Sequence, residues 1–198
     1  MSDLDRDKFL QHELVVEEKI DGANVGISFD ADGNVCAQNR GSYLYRPGSG
    51  QWKPLGKWLD FKADVLFEHL YDRFILFGEW CYAQHSVSYD SLPDWFLGFD
   101  VYDKRTSRFV SYGRRDILCQ RMGVCQVPMI ARGHFTLADL EITLASSKFS
   151  CHAAEGIYLR YDQGDWLVQR GKLVRPTFMQ TIEQHWSHSG VRPNMLRR

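Results

Sequence analysis

One stretch near the N-terminus restricts the fold more than any other. Val25, Ile27 and Phe29 alternate with small or polar residues, the run ends at "DADGN", and Val35 and Ala37 resume the alternation. A period of two is the pattern of a strand that buries one face, and Asp-Gly favours the positive φ of a tight hairpin turn. The stretch therefore predicts an antiparallel β-hairpin.

Helical and strand-like patterns follow one another along the rest of the chain. Apolar spacing predicts helices in residues 60–72, 113–122, 136–144 and 175–186. Apolar, β-branched and aromatic runs predict strands at 74–79, 96–102, 156–161 and 166–174. We therefore expect an α+β fold rich in antiparallel strands, built as a single domain over residues 1–198.

Side-chain spacing assigns a buried face to two of these helices and a start to a third. Thr136, followed three residues later by Asp139, is a capping arrangement. The apolar residues assigned to the buried faces are Phe61, Val65, Leu66 and Leu70 in the first helix, and Ile117 and Leu118 in the second.

Composition excludes several classes of protein. The 24 Lys and Arg balance 25 Asp and Glu, so the chain is no polycation that coats nucleic acid nonspecifically. Five scattered cysteines without a CxxC pair favour a reduced, intracellular protein over a zinc or redox site. Residues 1–13 lack the apolar core of a signal peptide and no run approaches a membrane span, so we expect a cytoplasmic protein without a membrane partner.

The run "EKIDGAN" places chemistry at the end of a strand. Lys19 and Asp21 are two apart, so on a strand they share one face, and Gly22 lets the backbone turn tightly beside a ligand. The arrangement suits a nucleophilic amine beside a carboxylate that steers it or holds a metal-bound water. The alternative for a lone lysine here is a solvated charge at a sheet edge.

"EKIDGAN" resembles the nucleotidyl-lysine motif of the covalent nucleotidyltransferases, which include ATP-dependent polynucleotide ligases and mRNA capping enzymes. Five further stretches resemble the family's other motifs in the expected order: "QNRGSYL", "LFGEW", "FLGFDVYD", "EGIYLR" and "QRGKLVRP". Asn24 resembles the RNA ligase branch, since DNA ligases and capping enzymes typically carry arginine there. The resemblance implies an ATP-grasp-like nucleotidyltransferase fold of antiparallel sheets with flanking helices, and a nucleotide in the cleft between the sheets.

The resemblance also implies a reaction. Lys19 attacks the α-phosphorus of ATP, AMP moves from the lysine to an RNA 5′-phosphate, and a 3′-hydroxyl seals the strand. The amine must be neutral to attack, and desolvation and nearby cations favour the neutral form. Lys172 and Arg175 supply such cations and clamp the phosphates, and these two with Lys19 and Asp21 form the expected catalytic set.

Each further site residue follows from its place in a motif. The resemblance implies that Glu155, helped by Asp21 and Glu79, holds Mg²⁺ or Mn²⁺ partly through water. The resemblance implies that Phe99 stacks on adenine; the alternative is that Phe99 is simply part of the core. In the last motif, Arg170 is the first residue that would replace one of the two phosphate ligands, Lys172 and Arg175, if the motif is aligned differently. The expected nucleotide contacts are Glu17, Lys19, Asn24, Arg40, Glu79, Phe99, Glu155, Lys172 and Arg175.

Three histidines and two basic clusters allow more than one interpretation. His85 either touches substrate or packs, and His185 and His188 are expected to be solvated. The basic clusters at 103–115 and 191–198 are either a phosphate track for RNA ends or ordinary surface.

Three functions remain in contention at this point. The first is an ATP-dependent RNA ligase that acts on RNA ends, either free or in a nicked duplex. The second is a nucleotidyltransferase for DNA ends or a cap. The third is a half-ligase or RNA-binding subunit. Polynucleotide ligases generally carry a second domain, often an OB-fold, for which we expect no room in this chain, so a protein partner would supply that domain.

Overall fold

The computed structural model describes residues 3–44, 48–175 and 191–197. Its helices are α1 (Asp3–Leu10), α2 (Trp52–Leu70), α3 (Tyr112–Met122) and α4 (Leu137–Thr143). Its strands are β1 (Leu14–Lys19), β2 (Ala23–Phe29), β3 (Val35–Gln38), β4 (Phe74–Trp80), β5 (Phe96–Asp103), β6 (Arg108–Phe109), β7 (Met129–Gly133), β8 (Gly156–Gln163) and β9 (Trp166–Val174). The α+β prediction is confirmed.

The strands form two antiparallel sheets. Sheet I has the strand order β7-β1-β8-β9, and sheet II has the order β3-β2-β4-β5-β6. The chain passes from sheet I to sheet II in three residues, because β1 ends at Lys19 and β2 begins at Ala23. Lys19 therefore lies where the two sheets approach one another.

The predicted hairpin is confirmed as the β2–β3 pair. Ile27 lies opposite Ala37 and Phe29 opposite Val35, so the alternating residues share the buried face. Gly33 has φ of +81°, a conformation that a turn of this kind takes most easily with glycine. Local turn chemistry and burial of one face thus fix the register together.

Helices cover the outer face of each sheet. Leu59 and Leu66 of α2 pack with Val25 and Leu76 of sheet II in one core cluster. A second cluster joins α1 and α4 to sheet I: Phe9, Leu14, Val16, Leu140, Leu144, Ile157 and Leu159. No helix in the described ranges is long and apolar enough to cross a membrane.

The structure corrects the first predicted helix. α2 begins at Trp52 rather than at residue 60, and its buried face includes Leu55 and Leu59. Phe61 is 84% exposed, so its assignment to the buried face was wrong. With 3.6 residues per turn, a position six residues after Leu55 points away from the core.

The other predicted helices have mixed outcomes. α3 buries Arg115, Cys119 and Met122. Of its two predicted core residues, Leu118 packs against the core, whereas Ile117 is 52% exposed and its assignment was wrong. The capping box at α4 is confirmed, because Thr136 and Asp139 each accept from the other's backbone N–H. The helix predicted over 175–186 lies outside the described residues, apart from its first position.

Gly78 provides a test of the packing within sheet II. An added Cβ would lie 2.3 Å from the Phe96 ring and 2.7 Å from the Leu97 carbonyl oxygen, at a register shift between β4 and β5. We expect Gly78→Ala to lower the free energy of unfolding by about 1–3 kcal/mol, measured by urea denaturation. In the control Gly113→Ala, at an exposed position of α3, the new methyl meets nothing within 4 Å, and helix propensity should raise stability by up to about 1 kcal/mol. Equal losses in the two variants would contradict this packing.

Candidate active site

The side chain of Lys19 is fixed by an ion pair between neighbouring strands. Lys19 lies opposite Gly156 in the β1–β8 register, and its Nζ is 2.6 Å from both carboxylate oxygens of Glu155. The lysine side chain is 19% exposed and that of Glu155 7%. Burial raises the pKa of the Glu155 carboxyl, and the ion pair with Lys19 opposes the rise.

One cavity, the inner hollow, extends from Lys19 between the two sheets. It measures about 200 Å³ and receives side chains from both sheets. Phe77, Phe99 and Phe109 supply aromatic surface. The remaining lining residues are Glu17, Glu18, Lys19, Ile20, Asn24, Arg40, Glu79, Asp100, Val127, Tyr158, Arg160 and Arg170. A concave pocket that combines aromatic surface with many polar and charged groups suits a polar small molecule that carries a ring.

A second and more open cavity, the outer hollow, lies on the other side of Lys19. It measures about 580 Å³ and is lined by Lys19, Asp21, Gly22, Ala23, Asn24, Asn39, Arg40, Gln51, Trp52, Glu79, His85, Ser86, Glu155, Lys172 and Val174. Four residues line both cavities: Lys19, Asn24, Arg40 and Glu79. The amine of Lys19 is therefore at the junction of the two hollows.

The structure brings together all but one of the residues expected from the motifs. Glu17 and Phe99 line the inner hollow, while Asp21, Glu155 and Lys172 line the outer one. The four residues at the junction complete the set.

Arg175 is the exception. Its guanidinium donates to the backbone carbonyls of Ala153 and Ala154, and it lines neither hollow. Arg170, the substitute named for this motif, lines the inner hollow instead. Its guanidinium stacks 4.5 Å from the Phe109 ring centroid and pairs with Asp100.

Glu79 is a buried carboxylate at the junction. It lies on β4 opposite Asn24 of β2 and is 8% exposed. Burial raises its pKa to about 7. The neighbouring Glu155 and Asp21 carboxylates also raise the pKa of Glu79, whereas the Lys19 amine lowers it. Its ionised form therefore depends on nearby positive charge.

Asp21 is held by backbone amides. Its Oδ2 accepts hydrogen bonds from the N–H groups of Ser86 (2.6 Å) and Val87 (2.8 Å), and its own N–H donates to the Tyr89 hydroxyl (2.7 Å). Gly22 follows where a Cβ would lie 2.8 Å from the Trp80 carbonyl oxygen, so this close approach requires glycine.

The arrangement of the carboxylates around Lys19 determines whether a metal ion would be held directly or partly through water. Among the described residues, no three His, Cys, Asp or Glu side chains converge as ligands of one ion. Oxygen donors nonetheless line the outer hollow at Asp21, Glu79 and Glu155. Such a set fits Mg²⁺, which keeps several waters and takes one or two carboxylates.

Sequence reasoning missed a network of buried charges at the inner hollow. Both carboxylate oxygens of Glu17 accept from Arg115, which is fully buried. Arg160 pairs with Asp100 and also donates to the Phe99 carbonyl, and Arg170 pairs with the second oxygen of Asp100. Glu17 is thus an anchor for an arginine in the wall of the hollow.

Of the two fully buried arginines in this network, only Arg160 lies in one of the sequence motifs. Arg160 closes the motif "EGIYLR", and its even spacing from Tyr158 on β8 places both side chains at the hollow. Arg115 carried no such signal, because its cluster was interpreted as either a phosphate track or ordinary surface, and neither interpretation buries it. In the structure it belongs to the buried face of α3.

The raised pKa of Glu79 predicts a pH-dependent effect of Glu79→Gln on stability. Between pH 4.5 and about 7 the unfolded chain loses this proton while the folded chain keeps it, so wild-type stability falls as pH rises. Without metal or nucleotide, Glu79→Gln should gain up to about 3 kcal/mol over wild type between pH 4 and pH 8. Urea denaturation at both pH values measures the difference, with the exposed Glu141→Gln as the charge-matched control. A constant difference across this range would contradict the burial of Glu79.

The family comparison agrees with this geometry. The family described as RNA ligase matches residues 12–174. No curated protein matches the chain.

Solved structures of the Naegleria gruberi RNA ligase resemble the fold. The structure with PPi gives a TM-score of 0.68 at 16% identity, covering 87% of this chain and 52% of that one. A lysine-to-alanine variant with ATP and Mn gives 0.70 at 15% identity, covering 90% and 54%. A lysine-to-methionine variant with AMP and Mn gives 0.68 at 14% identity, covering 90% and 54%. The chain spans about half the length of these ligases. With the family match over residues 12–174, the chain belongs to the RNA ligase family.

Proposed function

We propose that this chain is an ATP-dependent RNA ligase that acts through a covalent Lys19–AMP intermediate. The observation that carries the proposal is the position of Lys19, whose amine stands between an aromatic hollow and an open polar one and is oriented by Glu155. ATP and Mn occur in structures of the similar Naegleria gruberi ligase, which supports nucleotide and metal use. The second step transfers AMP to an RNA 5′-phosphate, and the third joins that end to a 3′-hydroxyl.

The inner hollow is the proposed nucleoside site. Phe99 offers a ring face on which adenine stacks, and Phe77 and Phe109 complete the apolar wall. Asn24 and Arg40, which line both hollows, are the proposed contacts to the ribose and the first phosphate. The buried network around Arg115 and Arg160 keeps this wall rigid when the base enters.

The first chemical step takes place at the junction. The Nζ of Lys19, an ammonium while it is paired with Glu155, first gives one proton to that carboxylate. Its lone pair then forms a bond to the α-phosphorus, the bond to the bridging oxygen of pyrophosphate breaks, and pyrophosphate leaves with that electron pair. The second proton lost by Nζ passes to water of the outer hollow. Lys172, exposed on the outer hollow, compensates the charge that develops on the phosphate oxygens.

The proposed metal is Mg²⁺ or Mn²⁺, held partly through water by Glu155, Asp21 and Glu79. A bound divalent cation supplies charge neutralisation at the phosphates. The ion would also supply the positive charge on which the ionised form of Glu79 depends.

A second candidate is a half-ligase that forms Lys19–AMP but needs a partner, or a further segment, to seal RNA. It is favoured by one observation, namely that the chain spans about half the length of the matched ligases. Sealing assays with 5′-phosphate and 3′-hydroxyl RNA ends separate it from the complete ligase. The same assay with DNA ends, and labelling with GTP in place of ATP, tests the remaining hypothesis, a nucleotidyltransferase that acts on DNA ends or on a cap.

Replacement of Lys19 tests the covalent step. With α-³²P ATP and Mg²⁺ or Mn²⁺, the native chain should carry label through a denaturing gel, whereas Lys19→Ala should carry none. Lys19→Arg is the matched control, because it keeps the charge opposite Glu155 but its guanidinium does not deprotonate to attack. It should fold with wild-type stability and remain unlabelled. Label on either variant would place the nucleophile elsewhere.

Arg170 and Arg175 form a matched pair that tests the last motif. Arg170→Ala opens the wall beside Phe109 and leaves the buried Asp100 with one cation fewer. We expect the ATP concentration for half-maximal adduct formation to rise about tenfold, equivalent to about 1.4 kcal/mol. Arg175→Ala should leave it within about twofold, because this guanidinium binds backbone carbonyls outside both hollows. A larger rise in Arg175→Ala than in Arg170→Ala would show that Arg175, rather than Arg170, contacts the nucleotide.

A further inference from the structure

A segment near the C-terminus clamps the loop that follows β4. We call residues 191–197 the strap and residues 81–92 the loop. Backbone N–H groups of Gln84 and Leu92 donate to carbonyls of the strap, and those of Met195 and Arg197 donate back to the loop. The strap therefore pairs with the loop along most of the loop's length.

Asn194 is the buried centre of this contact. Only 3% of the residue is exposed, and its side chain makes three hydrogen bonds to the loop. Its Nδ2 donates to the carbonyls of Cys81 (2.8 Å) and Ala83 (3.2 Å), and its Oδ1 accepts from the Tyr89 N–H (2.8 Å). An amide is suited to this position, because it offers two donor hydrogens and an acceptor at the end of one side chain.

The same loop holds Asp21. The N–H groups of Ser86 and Val87 converge on the Asp21 carboxylate, and the Tyr89 hydroxyl accepts from the Asp21 backbone. Tyr89 thus bonds Asn194 through its backbone and Asp21 through its side chain. A continuous set of hydrogen bonds runs from the strap to the residue two positions after Lys19.

We propose that Asn194 is a positioning residue for AMP transfer to Lys19. By fixing the loop, it makes the two amides converge on Asp21 and keeps that carboxylate in the outer hollow beside the reacting amine. The inference rests on the proposed function, since it assigns a task in the same chemical step. It adds a residue that touches neither nucleotide nor amine and acts through Tyr89 and the loop.

This role differs measurably from simple support of the fold. None of the residues that line the inner hollow belongs to the strap or the loop, whereas His85 and Ser86 of the loop line the outer hollow. Loss of Asn194 should therefore slow the chemical step and leave nucleotide binding nearly unchanged. A merely structural defect would weaken both together.

The first experiment measures single-turnover formation of the Lys19–AMP adduct in Asn194→Ala. At saturating ATP we expect the rate to fall at least about tenfold, while the ATP concentration for half-maximal rate stays within about twofold. Met195→Ala is the matched control, because its side chain is 55% exposed on the same strap and its backbone bonds are retained. It should react at the wild-type rate.

The second experiment tests the route through Tyr89. Tyr89→Phe removes the hydroxyl that bonds the Asp21 backbone and keeps the N–H that bonds Asn194. It should slow the same step. The double variant should lose less than the product of the two single effects, because both changes interrupt one chain of contacts. Independent, multiplicative losses would overturn the route.

Amide hydrogen exchange provides a readout that needs no activity. In Asn194→Ala the N–H groups of Ser86 and Val87 should exchange at least about tenfold faster than in wild type, and in Met195→Ala at the wild-type rate. Unchanged exchange, or a wild-type rate of adduct formation in Asn194→Ala, would overturn the proposal. If Asn194→Ala does not fold, Tyr89→Phe decides, and a wild-type rate there overturns it. If the native chain forms no adduct, the proposed function fails instead, and exchange alone decides whether the strap orders the loop.

Discussion

Buried arginines tie the two sheets together, and the rest of the site depends on this tie. Arg115 projects from α3, which packs with sheet II, and pairs with Glu17 of sheet I. Arg160 of sheet I pairs with Asp100 of sheet II. Removing one partner from a buried pair typically costs about 3–5 kcal/mol, because the other charge remains desolvated. The pairs join the sheets at the wall of the inner hollow, which Glu17, Asp100 and Arg160 line.

The position of Lys19 follows from how the chain crosses this space. β1 ends at the lysine, and after three intervening residues the chain is already part of sheet II. The amine therefore faces the inner hollow on one side and the outer hollow on the other, with Glu155 fixing its direction. Under the proposed function, this geometry separates recognition of a base, which uses the aromatic wall, from handling of phosphates and RNA ends, which needs water and cations.

Sequence patterns predict what is local and miss what depends on distant partners. The resemblance of the motifs to the family predicted all four residues at the junction, namely Lys19, Asn24, Arg40 and Glu79. Arg115 was missed because its partner Glu17 is 98 residues away. Phe61 was assigned to the wrong face because an aromatic residue on a helix is apolar whether or not the core lies beneath it. Arg175 occupied the expected place in its motif, yet the nearest acceptors for its guanidinium are backbone carbonyls.

The lysine motif itself illustrates this dependence. The strand places Lys19, but Asp21 is oriented by amides from a loop 65 and 66 residues further along the chain. Gly22 is required because the end of β4 approaches it closely. The loop in turn is fixed by the strap through Asn194. Lys19 and Asp21 are thus only two positions apart in the sequence, while their relative position is set by residues from distant parts of the chain.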